Sequence, residues 1–144
     1  MKNKKGFTLV ELLAVIVILG VLLLIAVPGI TKVINSSKKN TFISTAKLVA
    51  ENAQTLAMTG AAFGGSTNCY IPLNATHLPL ERGSYDGIDG VVHVQADKVV
   101  VYIKNASLNI GFNGETINNM NTSTLKNAGD VAIPTYSDSD ICNF

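Results

Sequence analysis

The apolar residues of this chain are concentrated in one uninterrupted run near its start. Residues 7–27 contain a single charged side chain, Glu11, and are otherwise almost entirely Leu, Ile, Val and Ala. Because a helix rises about 1.5 Å per residue, this run would span ~32 Å, enough to cross a hydrocarbon core of roughly 30 Å. The pattern therefore predicts one transmembrane helix over residues 7–27.

Beyond this run, apolar and small side chains continue with the spacing of one helical face. They recur at intervals of three and four, at Ile30, Val33, Ile34, Ser37, Thr41, Phe42, Ala46, Val49, Ala53 and Leu56. Residues 28–60 are therefore expected to form an amphipathic half of the same helix, with Gly60 and the following Ala- and Gly-rich residues as a stop. Because proline removes one backbone hydrogen bond, a kink or a locally melted segment is expected at Pro28.

After Gly60 the pattern changes to short β-branched runs separated by Gly, Asn and Ser. Strands are predicted at residues 91–94, 99–104 and 107–112, with a possible short fourth strand at 115–117. Turns at 95–98 and 105–106, and a strong turn signal at Asn113-Gly114, would join them into antiparallel hairpins. The expected fold is α+β, a long N-terminal α-helix packed through Val33 to Leu56 on a three- to four-stranded antiparallel β-sheet.

The charges beside the apolar run predict its orientation. Lys2, Lys4 and Lys5 precede the run, so the N-terminus should stay cytoplasmic and the rest should be exported. A secretory signal peptide would also have a basic start, but the cleavage site after its core fits poorly here because Pro28 follows Ala26 and Val27. The more notable small residue is Gly6, just before the apolar run.

The N-terminal residues KKGFTLVELL, Lys4 to Leu13, with Pro28 at the end of the apolar run, resemble type IV prepilins and the pseudopilins of type II secretion and competence systems. A generic single-pass anchor is the alternative. The resemblance implies a pilin fold, with residues 1–6 as leader peptide, 7–60 as helix and 61–144 as globular head. It also implies that a prepilin peptidase/methyltransferase cuts between Gly6 and Phe7 and methylates the new amine of Phe7.

Glu11 is the residue that a plain membrane anchor does not explain. A carboxylate at membrane depth costs on the order of 2.5 to 3.5 kcal/mol by insertion scales, so it usually marks a function and a partner. The resemblance implies that Glu11 neutralises the N-terminal amine of an adjacent subunit and sets the stagger between subunits. The alternative is a side chain that reaches back to the lipid headgroups from near the helix start.

Cys69 and Cys142 are the only cysteines, and both lie in the part expected to be exported. An even cysteine count in an extracytoplasmic domain favours a disulfide. Such a bond would hold residues 133–144 against residues 69–71. Two free thiols that pack as small apolar side chains are the alternative.

No pattern of catalytic residues is found along the chain. His77 and His93 lack the spacing of metal ligands, no glycine loop precedes a lysine, and the Asp-Gly pairs at 86–90 are more typical of turns than of a calcium site, as is the Asp138–Asp140 pair. From Ala61 onward, four basic residues stand against eight acidic ones, a charge of −4 that disfavours nucleic acid as a partner. An enzyme, a bound metal and a cofactor are therefore not expected.

The expected protein is a structural subunit of a type IV pilus for adhesion, motility or biofilm formation. It would be a single-pass protein of the cytoplasmic membrane before assembly and part of a surface filament afterwards. Its partners would be copies of itself, minor pilins, and the assembly platform with its ATPase. The alternative is a pseudopilin of a type II secretion or DNA-uptake system.

Overall fold

The structure is a computed structural model that describes residues 6–62, 68–74, 76–80, 85–96 and 98–143, with the backbone alone at 61 and 62. Residues 1–5 of the predicted leader and residues 63–65 of the predicted helix stop lie outside the described residues. The chain divides into two compact units, one up to Ser37 and one from Lys38 onward.

A single helix, α1, spans Leu9–Ala62 and has 54 residues. It continues without interruption through Pro28 and ends two residues after the predicted stop at Gly60. The segment around Pro28 is therefore helical and not melted, while the kink at this residue stays a prediction. In the first unit, α1 exposes its apolar side chains on all sides.

The second unit contains a four-stranded antiparallel sheet in the order β1-β2-β3-β4. The strands are β1 (Cys69–Pro72), β2 (Ile88–Val94), β3 (Val99–Asn105) and β4 (Ile110–Glu115). The β2–β3 hairpin closes at the predicted turn, where the Gln95 N–H donates to the Lys98 carbonyl at 2.8 Å. The long helix and the antiparallel sheet confirm the α+β prediction.

Three details of the predicted sheet were wrong. Strand β1 was not predicted, and the strand expected from Ser107 begins only at Ile110. The longer turn at 106–109 ends on Asn109, which takes a left-handed conformation with φ 50°. The third error is at residues 115–117, where a 3₁₀ turn at Ile117–Asn119 replaces the possible fourth strand.

The Asn113-Gly114 signal is used for a bulge inside β4 and not for a turn. The register shifts between Val101 and Tyr102, which pair with Glu115 and Asn113, so that Gly114 is the extra residue. Its φ of 76° lies in the left-handed region, which glycine adopts without strain. Gly114 therefore has the left-handed backbone that the sequence indicates, but it forms a bulge within a strand and not a turn between two strands.

The core forms between the inner face of the sheet and the later part of α1. Ala46, Val49 and Ala53 are fully buried on the helix, and the Phe42 ring stacks on Phe112 of β4 with centroids 5.9 Å apart. Leu56 packs at the edge of this core.

The covered part of the helix is shorter than predicted. It starts at Phe42 and not at Val33, because Val33 and Ile34 are 69% and 45% exposed. The longest strands have seven residues and reach about 23 Å, a length that matches roughly 15 helical residues.

Residues 127–143, here called the C-terminal strap, pack against part of the outer face of the sheet. Before the strap begins, Lys126 and Gly111 of β4 exchange two backbone hydrogen bonds of 2.9 Å. Val131 of the strap then packs at Gly111, and the Tyr136 ring stacks on Tyr70 with centroids 5.5 Å apart. Val91 and Val100, which alternate with the inward-facing valines, are 0% and 7% exposed. The middle of the outer face is therefore buried as well, while Asp89 and Asn113 on the same face stay exposed.

Replacing Gly111 with valine is expected to destabilise the second unit by about 2 kcal/mol through overpacking. A Cβ at this position would lie 2.6 Å from both the Ile103 carbonyl oxygen and the Val131 Cγ2 atom, so β4 or the strap must shift. Thermal unfolding of a soluble fragment from Thr31 onward measures the effect. Gly129→Ala is the matched control, since a Cβ there meets no atom within 4 Å. Equal melting temperatures for the two variants would contradict the packing argument.

Candidate assembly site

The N-terminal part of α1 has an exposed apolar surface. The large side chains between Phe7 and Ile34 are about half to four-fifths exposed, from 45% at Ile34 to 83% at Phe7. Among the described residues, α1 is the one helix long and apolar enough to cross a membrane, by length and composition. A surface of this kind needs lipid or other protein around it.

The predicted cleavage site lies just before this helix. Gly6, Phe7 and Thr8 are outside regular secondary structure, and all three are exposed. A Cβ at Gly6 would meet no atom within 4 Å, and the φ of this glycine is not in the left-handed region. Among the described residues, neither packing nor backbone conformation requires glycine here.

Glu11 forms a capping box with Thr8 at the start of α1. The Thr8 backbone N–H donates to Glu11 Oε2 at 2.9 Å, and the Thr8 hydroxyl donates to the same oxygen at 2.8 Å. In return, the Glu11 N–H donates to Thr8 Oγ1 at 3.3 Å. These bonds satisfy donors that the first turn of a helix leaves free. They also hold the carboxylate at the N-terminal end of the helix, next to the predicted cleavage site.

Among the residues that the structure describes, Glu11 has hydrogen-bond partners but no cation to balance its negative charge. Thr8 offers only neutral donors, and the first Lys or Arg after Glu11 is Lys32, 21 residues or about 32 Å along the helix. Phe7 would carry a positive amine after cleavage, four residues before Glu11. The predicted cleavage between Gly6 and Phe7 would leave the capping box intact, because Thr8 and Glu11 both follow that peptide bond.

Thr8 is the residue of this site that the sequence reasoning missed. Thr8-Leu9-Val10-Glu11 has the form Thr-x-x-Glu, the signature of a capping box directly before an apolar helical run. The prediction for Glu11 considered only its charge in the membrane and not a hydrogen bond to the residue three positions earlier.

Pro28 lies far from this cluster, 17 residues or about 26 Å along α1 from Glu11. It has no N–H to donate to the Leu24 carbonyl, which interrupts the hydrogen-bond ladder of the helix. The Pro28 carbonyl accepts a bond of 3.0 Å from the Thr31 hydroxyl. A Cβ at the neighbouring Gly29 would meet no atom within 4 Å, and the same holds at Gly20.

The predicted cysteine pair belongs to the second unit. Cys69 and Cys142 form a disulfide with Cα atoms 5.0 Å apart, across 73 residues of sequence. Beside it, the Cys142 N–H donates to the Tyr70 carbonyl at 3.0 Å, and Ile141 pairs with Tyr70 as a parallel bridge. The bond therefore holds the end of the C-terminal strap on β1, as predicted.

The histidines and acidic pairs of the second unit do not come together. His93 stacks on Tyr70, and its Nε2 atom is 3.0 Å from Asn68 Oδ1, while His77 contacts Asn74. Burial holds the pKa of His93 below its usual range. Within the described residues, no three His, Cys, Asp or Glu side chains are grouped so that they could hold a metal ion.

Comparison with known proteins bears on the N-terminal segment alone. Residues 1–27 match the family described as the prokaryotic N-terminal methylation motif, and no solved structure matches the chain. The matched residues contain the Gly6-Phe7 peptide, the capping box and the exposed apolar run up to Val27. With these features at the start of a long helix that packs on an antiparallel sheet, the chain carries the leader signature of type IV prepilins and pilins.

Proposed function

We propose that this protein is the structural subunit of a type IV pilus, which polymerises through the N-terminal half of α1 into a surface filament for adhesion, motility or biofilm formation. The observation that carries the proposal is the exposed apolar surface from Phe7 to Ile34, next to the leader signature. A membrane can cover this surface before assembly. Outside the membrane, a filament can bury this surface if the same apolar helix segments of neighbouring subunits pack against one another.

The energetics of the apolar surface favour assembly. Burial of one Val, Leu or Ile side chain is worth about 1.5 to 3 kcal/mol relative to exposure in water. The run of 7–27 alone contains more than a dozen such side chains. A helix with this surface would be insoluble as a monomer, so we expect it to leave the lipid only by packing against neighbouring helices.

Glu11 supports a specific stagger between the packed helices. Its carboxylate is held by Thr8 and still lacks a positive partner among the described residues. In a filament, the methylated amine of Phe7 on an adjacent subunit would supply that charge. Because a buried ion pair contributes more to register than to net stability, the pair would select one axial offset among many apolar packings.

The processing and domain assignments follow from the same proposal. A prepilin peptidase/methyltransferase would remove residues 1–6 and methylate Phe7. Residues 7–27 would then serve as membrane and polymerisation segment, 28–60 as the amphipathic half of the helix, and 61–144 as the head. Before assembly the head would lie outside the cytoplasmic membrane, and the assembly platform, its ATPase and minor pilins would be the further partners. We propose no enzymatic activity.

The second candidate is a pseudopilin, which would form only a short filament inside a secretion or DNA-uptake machine. The N-terminal features serve both functions equally. The head favours the pilin, because it has a four-stranded sheet and a disulfide-bound strap, which is more structure than a small pseudopilin head requires.

The assembled protein is expected to begin at Phe7 and to carry one methyl group on its amine. Electron microscopy of material sheared from the cell surface, with mass spectrometry of its N-terminal peptide, measures filament length and processing together. Long filaments that contain this peptide support the pilus subunit. An intact Met1 in such filaments would contradict the processing, and absence of the chain from every surface filament would leave the pseudopilin.

A further inference from the structure

The segment of α1 from Lys32 to Lys39 carries positive charges and no negative ones. Lys32, Lys38 and Lys39 lie within eight residues of each other, and their side chains are exposed. No Asp or Glu occurs between Glu11 and Glu51. No carboxylate of the described residues lies within salt-bridge distance of these three lysines. Residues 32–39, here called the cationic segment, therefore carry three exposed lysines that no described carboxylate neutralises.

The C-terminal strap has the opposite charge. Residues 127–143 contain Asp130, Asp138 and Asp140, all exposed, and no Lys or Arg. The strap is firmly placed, because the disulfide fixes its end and Ala132 donates its N–H to Asn113 Oδ1 at 3.2 Å. The strap is therefore an anionic surface held in place against part of the outer face of the sheet.

The hydrogen bonds of Asp130 and Asp140 position these two carboxylates without neutralising them. Asp140 accepts from the Ser137 hydroxyl at 2.6 Å and from the Ser137 N–H at 2.9 Å, and Asp130 is 3.3 Å from the Asn127 amide nitrogen. The Ser137 bonds hold the pKa of Asp140 below its ordinary value, so this group stays ionised at neutral pH. All of these donors are uncharged.

We propose that the cationic segment of one copy binds the C-terminal strap of a second copy, through contacts of Lys38 and Lys39 with Asp130 and Asp138. The inference rests on the filament proposed above. Two different surfaces of one chain that complement each other make a head-to-tail contact, and such contacts build open helical filaments when they do not close into a ring. Two equal surfaces would repel each other.

Charge complementarity of this kind acts through contact. At physiological salt the Debye length is about 8 Å, so exposed charges that stay farther apart than this are largely screened. Complementary charges that meet at an interface orient the partners, and like charges in the same place cost several kcal/mol. Glu11 would set the axial offset between neighbouring helices. The contact between cationic segment and strap would in addition restrict the position of the head.

The test reverses the charge of the cationic segment and of the strap in two separate variants of the full-length protein. Lys38→Glu/Lys39→Glu and Asp130→Lys/Asp138→Lys are each expected to lower filament yield by about tenfold or more, since like charges then face each other. Asp140 is left unchanged because its side chain caps a 3₁₀ turn. Lys98→Glu/Lys126→Glu is the matched control for the lysine variant, with the same change of net charge at two exposed positions outside both surfaces.

Co-expression of the two reversed variants gives the decisive result. One variant has two anionic surfaces and the other two cationic surfaces, so copies that alternate are complementary at every contact. Filaments are expected from the mixture and not from either variant alone. Normal filaments from Lys38→Glu/Lys39→Glu alone would overturn the inference. So would a loss that the mixture does not restore, for instance because the lysines bind anionic lipid headgroups.

The same experiment separates this inference from the proposed function. If the wild-type chain and the Lys98→Glu/Lys126→Glu control form no filaments, the pilus subunit itself is contradicted. If both form filaments and the reversed variants do so equally, only the contact between cationic segment and strap is contradicted.

Discussion

Replacing Glu11 with alanine is expected to leave membrane insertion and leader cleavage intact and to abolish filaments or shorten them by at least about tenfold. An apolar residue suits lipid better than a carboxylate, so the precursor should accumulate normally in the membrane. Without the charge, apolar helices can still pack, but no interaction selects one axial offset. Filament length by electron microscopy and the mass of the membrane-bound chain measure the two outcomes.

A matched variant separates the charge of Glu11 from its capping role. Glutamine in place of Glu11 keeps an oxygen that can accept from Thr8, as capping boxes with Gln do, but removes the charge. We expect Glu11→Gln to fail as Glu11→Ala does. Thr8→Ala, which removes the cap and keeps the charge, should retain filaments and lose about 1 kcal/mol of helix stability. Normal filaments from Glu11→Gln would show that capping, and not an ion pair between subunits, is the function of this residue.

Reduction of the Cys69–Cys142 bond is expected to lower the melting temperature of a soluble fragment from Thr31 onward by about 10 °C. The chain-entropy argument gives about 4.5 kcal/mol for a loop of this length, and residual structure in the unfolded chain lowers that value. The strap would then be held on β1 and β4 only by Val131, the Tyr136–Tyr70 ring contact and a few hydrogen bonds. Calorimetry with and without a dithiol reductant measures the change.

The control for this experiment is the fragment with Cys69→Ala and Cys142→Ser. It should melt at the temperature of the reduced protein and show no further response to the reductant. Ala suits the buried position of Cys69, and Ser suits the half-buried position of Cys142. Complete alkylation of both cysteines in the unreduced, unfolded fragment would rule out the bond.

The features that could be predicted from the sequence have strong local or pairwise signals. The apolar run and the even cysteine count predict, without knowledge of the fold, the long helix and the disulfide. The Gly6-Phe7 dipeptide belongs to the leader signature, and cleavage at this peptide stays a prediction. The β2–β3 hairpin also has a local signal, since its two valine-rich runs flank a short polar turn.

The features that were missed depend on tertiary contacts. Strand β1 has four residues and ends in Pro72, and it exists because β2 pairs with it and the strap bonds to it. Asn113-Gly114 indicates a left-handed backbone equally well for a hairpin and for a bulge, and only the register with β3 decides. The helix segment predicted to pack on the sheet began too early, at Val33, because the periodic pattern contains no information on the length of the strands.

The unbroken course of α1 has a mechanical consequence. No loop separates the exposed apolar residues from Phe42, where the helix enters the core, so a pulling force on the N-terminal segment acts along the helix backbone. The hydrogen bond missing between Leu24 and Pro28 makes that turn the weakest link under tension. Stretching should begin there, and it would lengthen a filament while the head, clamped by its disulfide, keeps its shape.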